Sequence, residues 1–287
     1  MDKSFKAFFR RVKSGGTPGF PRFKSARRFH SFSVPNTRYK IVDGKLDLSR
    51  LGKIKLRQDC EIEGKLTNLI VKKEIDHWYA CITVEFEPIN LPESKDKIGI
   101  DLGYRYFAVL SDGSFIENPR HYKNNEKKLR VAQRRVSRRK KGSNRRKKAV
   151  VLLAKVHEKI RRSRADFQHK VSHDLINRFG YLAVEDLNIN QMTQAADAKY
   201  RNKSLYDAAW GEFLYKLTYK AENAGRKLVK IQPSFTAQTC ICGVKLVKNL
   251  SSTKIHCVSC GRIEDRGIIS SNVILKSAER HSVQALT

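Results

Sequence analysis

Two predicted strands of this chain end in carboxylates. "IGIDLG" reaches Asp101, and "LAVEDLNI" reaches Glu185. Because ligands of open α/β sheets bind beyond the carboxyl ends of the strands, neighbouring strands would bring these two acids together. Paired carboxylates hold Mg²⁺, and such a site can activate water and stabilise the leaving oxygen when a phosphodiester is cleaved. Either acid alone is equally typical of a turn or a cap, so the prediction of a metal site depends on the pair, with Gly103 keeping the backbone open beside Asp101.

Four of the six cysteines lie close together near the end of the chain. They fall in "TCICG" and "CVSCG", and they are Cys240, Cys242, Cys257 and Cys260. Two short loops that each carry two thiols form the ligand set of a structural zinc ribbon. The first pair is one residue tighter than the usual spacing, which could strain a ligand, and His256 is a possible substitute. Cys60 and Cys81 occupy strand-like segments and are predicted to be buried thiols.

The charge of the chain predicts a polyanionic partner. Its 287 residues include 59 Lys and Arg against 28 Asp and Glu, a formal net charge of +31. Nucleic acid is the obvious polyanion, with a membrane surface and the ribosome as alternatives. No apolar run is long enough to span a membrane or to act as a signal peptide, so no membrane association and a cytoplasmic location are expected, near the nucleoid when bound to DNA.

The basic residues are concentrated in one helical stretch. Between Lys123 and Arg164 the chain carries 19 Lys and Arg and 2 acids. Residues 122–178 are predicted to form an antiparallel helical pair, broken near "KKGSN", with a thin apolar seam and a basic surface that contacts nucleic acid. The candidate contacts are Arg134, Arg135, Arg138, Arg139, Lys140, Lys141, Arg145, Arg146, Lys147 and Lys148, together with Arg22 and Lys24 near the N-terminus.

The order of predicted elements favours an α/β fold, a mixed sheet with helices packed on it. A polar, proline-containing segment, "NLPESKDK", separates this part from a β-rich region before it. The predicted segments are a short helix and basic connector (1–37), a small antiparallel β domain (38–97), the α/β domain with its helical pair (98–234), a zinc module (235–264) and a closing segment of the α/β domain (265–287).

The chain also resembles a known family. "IGIDLG", "GSNRRKK", "LAVEDLNI", "DAAWGEF", "KLTYKAENAGRKL", "TAQTC" and "CVSCG" follow one another as in the OrfB/TnpB proteins of IS200/IS605-type insertion sequences, relatives of type V CRISPR effectors. The resemblance implies a RuvC-like (RNase H-like) nuclease domain with a helical insertion and a zinc ribbon, preceded by a wedge-like β-barrel. It implies a guide RNA, a DNA target and a Mg²⁺ site of three carboxylates, in which Asp101 and Glu185 match the first two and the four clustered cysteines match the zinc ligands.

The third carboxylate of that family site is missing. The family pattern after the last cysteine pair is D-R-D-x-N-A-A, whereas this chain has Asp265-Arg266-Gly267-Ile268-Ile269-Ser270-Ser271. Gly267 occupies the place of the metal-binding acid, and Asp265 or Glu264 is the candidate replacement. The chain also begins where the family sequence is already well advanced, so much of the N-terminal recognition region is expected to be absent.

Three functions are compatible with these features. The favoured one is a protein that binds guide RNA and target DNA with an impaired nuclease, either a repressor-like binder or a decaying transposon copy. The alternatives are an active Mg²⁺-dependent RNA-guided DNA endonuclease that supports transposon maintenance, and a basic zinc protein with an unrelated RNA-binding role. The sequence specifies neither the guide, the target motif nor the oligomeric state.

Overall fold

The computed structural model of the protein describes residues 2–23, 25, 29–49, 51–58, 61–88, 90–188, 192, 203, 205–232, 239–246 and 254–284. Lys24 and Cys60, both singled out by the sequence, lie outside these residues. The chain divides into two compact units, Met1–Glu87 and Pro88–Thr287. None of the described helices is both long and apolar enough to cross a membrane.

The first unit begins with helix α1 (Asp2–Lys13), where a short helix was predicted. Its phenylalanines pack on the connector that follows, since the ring centroids of Phe5 and Phe8 lie 6.0 and 5.6 Å from that of Phe20. Edge-to-face aromatic contacts of this kind hold the glycine-rich segment after α1 against the helix. Arg22, which follows in that segment, is exposed.

Two antiparallel sheets of three strands each follow, where the sequence predicted one small sheet. The first is formed by β1 (Ser31–Pro35), β5 (Lys65–Glu74) and β6 (His77–Glu85), so its first strand lies within the predicted connector. The second sheet is a meander of β2 (Tyr39–Val42), β3 (Lys45–Leu48) and β4 (Gly52–Lys55).

An Asp-Gly turn joins the first two strands of this meander. Asp43 and Gly44 both have positive φ, 50° and 65°, as a two-residue hairpin turn requires. Leu46 and Leu48 of β3 are buried together with Leu69 of β5, so the two sheets share one small core. Cys81 lies half-buried in β6 as a free thiol.

The second unit contains a five-stranded mixed sheet in the order β11-β10-β7-β8-β9. Its strands are β7 (Lys97–Leu102), β8 (Tyr106–Leu110), β9 (Phe115–Glu117), β10 (Tyr181–Glu185) and β11 (Lys227–Ile231). β10 pairs in parallel with both β7 and β11, whereas β7, β8 and β9 form an antiparallel meander. The mixed sheet and the α/β class predicted from the sequence are confirmed.

Two long helices form the predicted basic pair, α2 (His121–Ser137) and α3 (Asn144–Arg178). The Ser143 hydroxyl accepts a hydrogen bond from the Arg146 N–H and caps α3, which places the break within "KKGSN". The apolar seam between the two helices includes Leu129, Ala149 and Ile160, which are buried, whereas Val150 is exposed.

Helices cover both faces of the five-stranded sheet. On one face α3 and α4 (Trp210–Asn223) enclose the main core, in which Trp210, Phe213 and Leu217 are buried. On the other face lies α5 (Arg266–Gln284), whose Ile274 and Ala278 pack on Ala183 of β10.

Helix α5 approaches the sheet closely because one strand residue has no side chain. A Cβ atom at Gly99 of β7 would lie 1.9 Å from the carbonyl oxygen of Ser271 in α5. Glycine inside a buried strand often marks such an approach of two backbones. This contact fixes the first turns of α5 over the carboxyl end of β7.

Candidate functional site

The two strand-end acids lie side by side. Ala183 of β10 is the register partner of Gly99 in β7, so Glu185 and Asp101 stand two residues further along neighbouring parallel strands. Since alternate residues of a strand share one face, both carboxylates project to the face that α5 covers. Glu185 is 9% exposed, so its side chain is almost fully enclosed.

The electrostatics of Asp101 show which groups surround it. Burial and then the negative charge of Glu185 raise the pKa of the Asp101 carboxyl to about 7. Asp265 adds to that rise, whereas Arg266 and the Ser270 hydroxyl oppose it. A buried carboxyl whose pKa is raised by neighbouring carboxylates belongs to a site whose charge a divalent cation would balance. The structure thus brings Asp101, Glu185 and Asp265 into one cluster, at the start of α5.

Asp265 also has a structural role at the start of α5. It ends the short strand β13 (Ile263–Asp265), which pairs with β12 (Lys254–His256) and stands immediately before α5. Its carboxylate accepts a hydrogen bond of 2.8 Å from the Gly267 N–H. It therefore caps the helix, as aspartate does at many helix N-termini. Glu264 is engaged differently, in an ion pair of 3.1 Å with Arg262, and is absent from the groups that shift the pKa of Asp101.

Gly267 faces β8 in the first turn of α5. A Cβ atom added there would lie 2.8 Å from Cγ2 and 3.1 Å from Cβ of Val109. Val109 is 6% exposed and is the register partner of Asp101 in the antiparallel pair of β7 and β8. The space beside Asp101 into which a residue 267 side chain would extend is thus already filled by a stiff, β-branched side chain.

The four clustered cysteines meet in space. Their sulfur atoms all lie within 4.8 Å of one another. The Sγ atoms of Cys240 and Cys260 are 3.7 Å apart, and those of Cys242 and Cys257 are 3.6 Å apart. Zinc–sulfur bonds of about 2.3 Å place tetrahedral sulfurs about 3.8 Å apart, so the four thiols fit a zinc ion. His256 is not part of the group.

The short first spacing is accommodated by a tighter turn. In the first loop the Gly243 N–H donates a hydrogen bond to the carbonyl of Cys240, three residues earlier. In the second loop the Gly261 N–H donates a hydrogen bond to the carbonyl of Cys257, four residues earlier. Both glycines have positive φ, 94° and 70°, which lets each loop reverse after its second cysteine. The expected strain on a ligand is therefore avoided by a change of turn.

The sulfur environment differs between the two loops. Backbone N–H groups of Cys260 and Ser259 hydrogen-bond the Cys257 sulfur and lower its pKa to about 6. Burial raises the pKa of Cys240 to about 12. A bound cation would ionise this second thiol as well, since thiolates are the form that binds metal.

The cysteine cluster shares its core with α5. Cys240, Cys257 and Leu246 are buried against Ile269, which is 1% exposed. Ile269 therefore fills the apolar base of the module formed by the two cysteine loops. The module and the first turn of α5 are consequently packed as one structure.

The predicted basic surface is accessible. Of the ten predicted residues in α2, α3 and the loop between them, nine are exposed and Arg146 is half-buried. Arg134, Arg135, Arg138 and Arg139 line one cleft at the end of α2. Within the part of the chain that the structure describes, none of the ten is paired with an acid. Such a concentration of unpaired cations favours a polyanionic partner.

Comparisons with known proteins agree with these features. The family model OrfB_IS605, described as a probable transposase, matches residues 81–196, and the Cas12f1-like TNB domain model matches residues 210–274.

The chain is 28% identical over 274 residues to the Escherichia coli (strain K12) protein described as "Putative RNA-guided DNA endonuclease InsQ", covering 90% of this chain and 67% of the relative. It is 30% identical over 264 residues to a Streptomyces pristinaespiralis protein described as "Putative RNA-guided DNA endonuclease", covering 89% and 65%. The chain thus spans about two thirds of the length of these relatives.

Among solved structures, a cryo-EM structure of a CRISPR-Cas12f ternary complex is a distant likeness. The identity is 18% and the TM-score is 0.48, over 74% of this chain and 46% of that chain.

Proposed function

Because the chain belongs to the OrfB/TnpB family of transposon-encoded proteins, we propose that it binds a guide RNA and a DNA target and that its nuclease site is impaired. Both relatives described above are called RNA-guided DNA endonucleases. The net charge of +31 and the exposed basic surface of α2 and α3 support the same partners. We place the protein in the cytoplasm, at the nucleoid when it is bound to DNA. Family membership argues against an unrelated RNA-binding role.

We assign the five-stranded domain to the RuvC-like (RNase H-like) class. The supporting observation is its sheet, in which an antiparallel meander continues into two parallel strands and the acids lie at the ends of the adjacent strands β7 and β10. The two antiparallel sheets of the first unit are assigned to the wedge-like domain. The cysteine loops are assigned to a zinc ribbon inserted between β11 and α5.

In this proposal Asp101 and Glu185 bind a divalent cation such as Mg²⁺, since carboxylate oxygens are its preferred protein ligands. A bound cation of this kind would lower the pKa of an attacking water and stabilise charge on the phosphate. Arg266 balances part of the negative charge at Asp101, and Asp265 caps the N-terminus of α5 beside the two strand acids.

The impairment rests on Gly267. This residue has no side chain to donate, and its Cβ direction is occupied by Val109. One carboxylate oxygen of Asp265 is engaged in the helix cap, so Asp265 is a partial replacement at most. A site of this composition would retain one cation and align a second one poorly.

The active endonuclease is the second candidate, and Asp265 favours it. Its charge reaches Asp101 and raises the pKa of that carboxyl, so it lies within the acid cluster. A cleavage assay with Mg²⁺ or Mn²⁺, run on the guide-loaded protein beside Asp101→Ala, separates the candidates. Efficient cleavage by the wild type that Asp101→Ala abolishes would reject the impaired nuclease, whereas the impaired nuclease predicts little or no product.

Guide binding is tested by sequencing the RNA that copurifies with the protein. We expect one enriched, structured RNA species, and a target DNA complementary to it should be shifted in a gel by the complex. Non-specific cellular RNA without enrichment would contradict a dedicated guide.

The arginine cleft should dominate the salt dependence of nucleic-acid binding. Replacing Arg134, Arg135, Arg138 and Arg139 with glutamine should lower the slope of log affinity against log salt concentration by about 3 to 4, since each phosphate contact on a duplex contributes about 0.9. The measurement is binding of duplex DNA and of the copurified RNA over a salt series.

The matched control removes four charges elsewhere. Lys40, Lys45, Lys53 and Lys55 are exposed on the second sheet of the first unit, and glutamine at all four should change the slope far less. Equal losses in the two variants would mean that net charge alone determines the affinity and would contradict the assignment of the cleft.

A further inference from the structure

Ser270 carries a buried hydroxyl next to the acid cluster. It lies in the second turn of α5 and is 2% exposed. Among the described residues its Oγ atom makes no hydrogen bond of good geometry. A buried hydroxyl without a hydrogen-bond partner lowers the stability of the folded state by about 1–3 kcal/mol, so we expect the Ser270 hydroxyl to have a partner.

The neighbouring serine behaves in the ordinary way. The Ser271 hydroxyl is fully buried, and it donates a hydrogen bond of 2.9 Å to the Ile268 carbonyl, three residues earlier in the helix. Serine side chains inside helices commonly bond to a preceding carbonyl in this manner. The Ser270 hydroxyl makes no such bond within the helix.

The packing of α5 explains why residue 270 reaches Asp101. Gly267 sits over Val109 of β8, and the Ser271 carbonyl sits over Gly99 of β7. Asp101 is the register partner of Val109 and follows Gly99 by two residues on the same face. The helical turn between these two contacts therefore passes directly over Asp101, and Ser270 lies in that turn.

We propose that Ser270 is a positioning residue of the cation site: its hydroxyl donates to one oxygen of Asp101 and directs the other oxygen toward the cation. It supports the two remaining strand acids in a site that lacks the third one. This inference depends on the proposed cation site and adds a residue to it.

The test is Mn²⁺ binding by the full-length protein after bound nucleic acid has been removed, with free Mn²⁺ measured by electron paramagnetic resonance. Asp101→Ala defines the binding that belongs to other sites. Loss of a group that orients a metal ligand typically weakens binding 10–100-fold, so Ser270→Ala should raise the dissociation constant of the Asp101-dependent site about tenfold or more. Ser270→Thr retains a hydroxyl and should stay within about threefold of the wild type.

Ser271→Ala is the matched control, because it removes a neighbouring buried hydroxyl that bonds only within the helix; it should change Mn²⁺ affinity less than about twofold. If Ser270→Ala binds Mn²⁺ at the Asp101-dependent site with wild-type affinity, the proposed role of Ser270 is overturned, but the proposed cation site is not. No Asp101-dependent binding in the wild type would overturn the proposed cation site as well. Thermal unfolding of each variant verifies its fold, and Ser270→Cys, which keeps the volume but donates weakly, replaces Ser270→Ala should that variant not fold.

Discussion

Replacing Cys257 with serine should reduce the zinc content of the purified protein from about one ion per chain to nearly none. Cys257 is the thiol whose sulfur accepts two backbone N–H hydrogen bonds, and those bonds hold it as the thiolate that zinc requires. Three remaining thiols leave one position of the tetrahedron to water, and the affinity falls accordingly. Metal analysis of wild type and variant, prepared side by side, measures the change.

The loss of zinc should also destabilise the protein and weaken cation binding at the acid cluster. In small metal modules the free energy of zinc binding is also folding free energy, on the order of 10 kcal/mol. Cys240 and Cys257 share a buried cluster with Ile269, and β13 leads directly into α5 through Asp265. We therefore expect Cys257→Ser to lower the thermal unfolding midpoint by about 10 °C or more and to reduce Asp101-dependent Mn²⁺ binding.

Cys81→Ser provides the control for this experiment. Cys81 is a free thiol in β6, outside the cysteine cluster, and its replacement should leave both the zinc content and the acid site unchanged. Full zinc content in Cys257→Ser would contradict the assignment of the ligands, and a chelator that removes zinc without changing the unfolding midpoint would contradict its structural role.

The sequence predicted those parts of the molecule in which local pattern determines structure. Buried strands ending in Asp101 and Glu185 have a pattern that depends on a few neighbouring residues, and their parallel pairing follows from the connections between them. The basic helical pair was recognisable because a long stretch without proline has one break at Gly142. The four cysteines were recognisable by their spacing.

Contacts between distant segments could not be predicted in this way. The approach of α5 to β7 at Gly99, and that of Gly267 to Val109, join residues more than 150 positions apart. The sequence offered one indication of the close approach at Gly99, a glycine within an apolar strand, but nothing in the chain identified the segment that approaches it. Ser270 had no local signal, since a serine in an amphipathic helix is ordinary until its hydroxyl is found beside a buried carboxylate.

The first sheet shows a different limitation. "SFSVP" alternates as a strand should, but it follows a segment rich in glycine and proline, and the predicted connector includes it. Strand β1 pairs with β5, more than 30 residues later, and this pairing rather than local propensity determines it.

Gly267→Asp by itself should leave DNA cleavage close to the low wild-type level, although it restores the acid of the family pattern. Its Cβ would lie 2.8 Å from Val109 Cγ2, and Val109 is buried beside Asp101. Relieving that contact must move α5 or β8, at a cost of about 1–3 kcal/mol, and either movement displaces the acids that the new carboxylate should join.

The double variant Val109→Ala with Gly267→Asp should cleave about a hundredfold faster or more. Alanine removes both methyl groups that obstruct the new side chain, and a correctly placed carboxylate that completes a cation site supplies about 3 kcal/mol of transition-state stabilisation. The assay is Mg²⁺-dependent cleavage of a guide-matched DNA target. Val109→Ala alone should remain at the wild-type level, and adding Asp101→Ala to the double variant should abolish the gain.

Gly267→Ala separates the steric effect from the chemical one. It introduces the Cβ atom without a carboxylate, so it should destabilise the protein by about 1–3 kcal/mol in the presence of Val109 and by less in its absence. Strong cleavage by Gly267→Asp alone would show that the strand yields readily and that Val109 does not obstruct the site. An inactive double variant with intact fold and Mn²⁺ binding would instead place the impairment elsewhere than at residue 267.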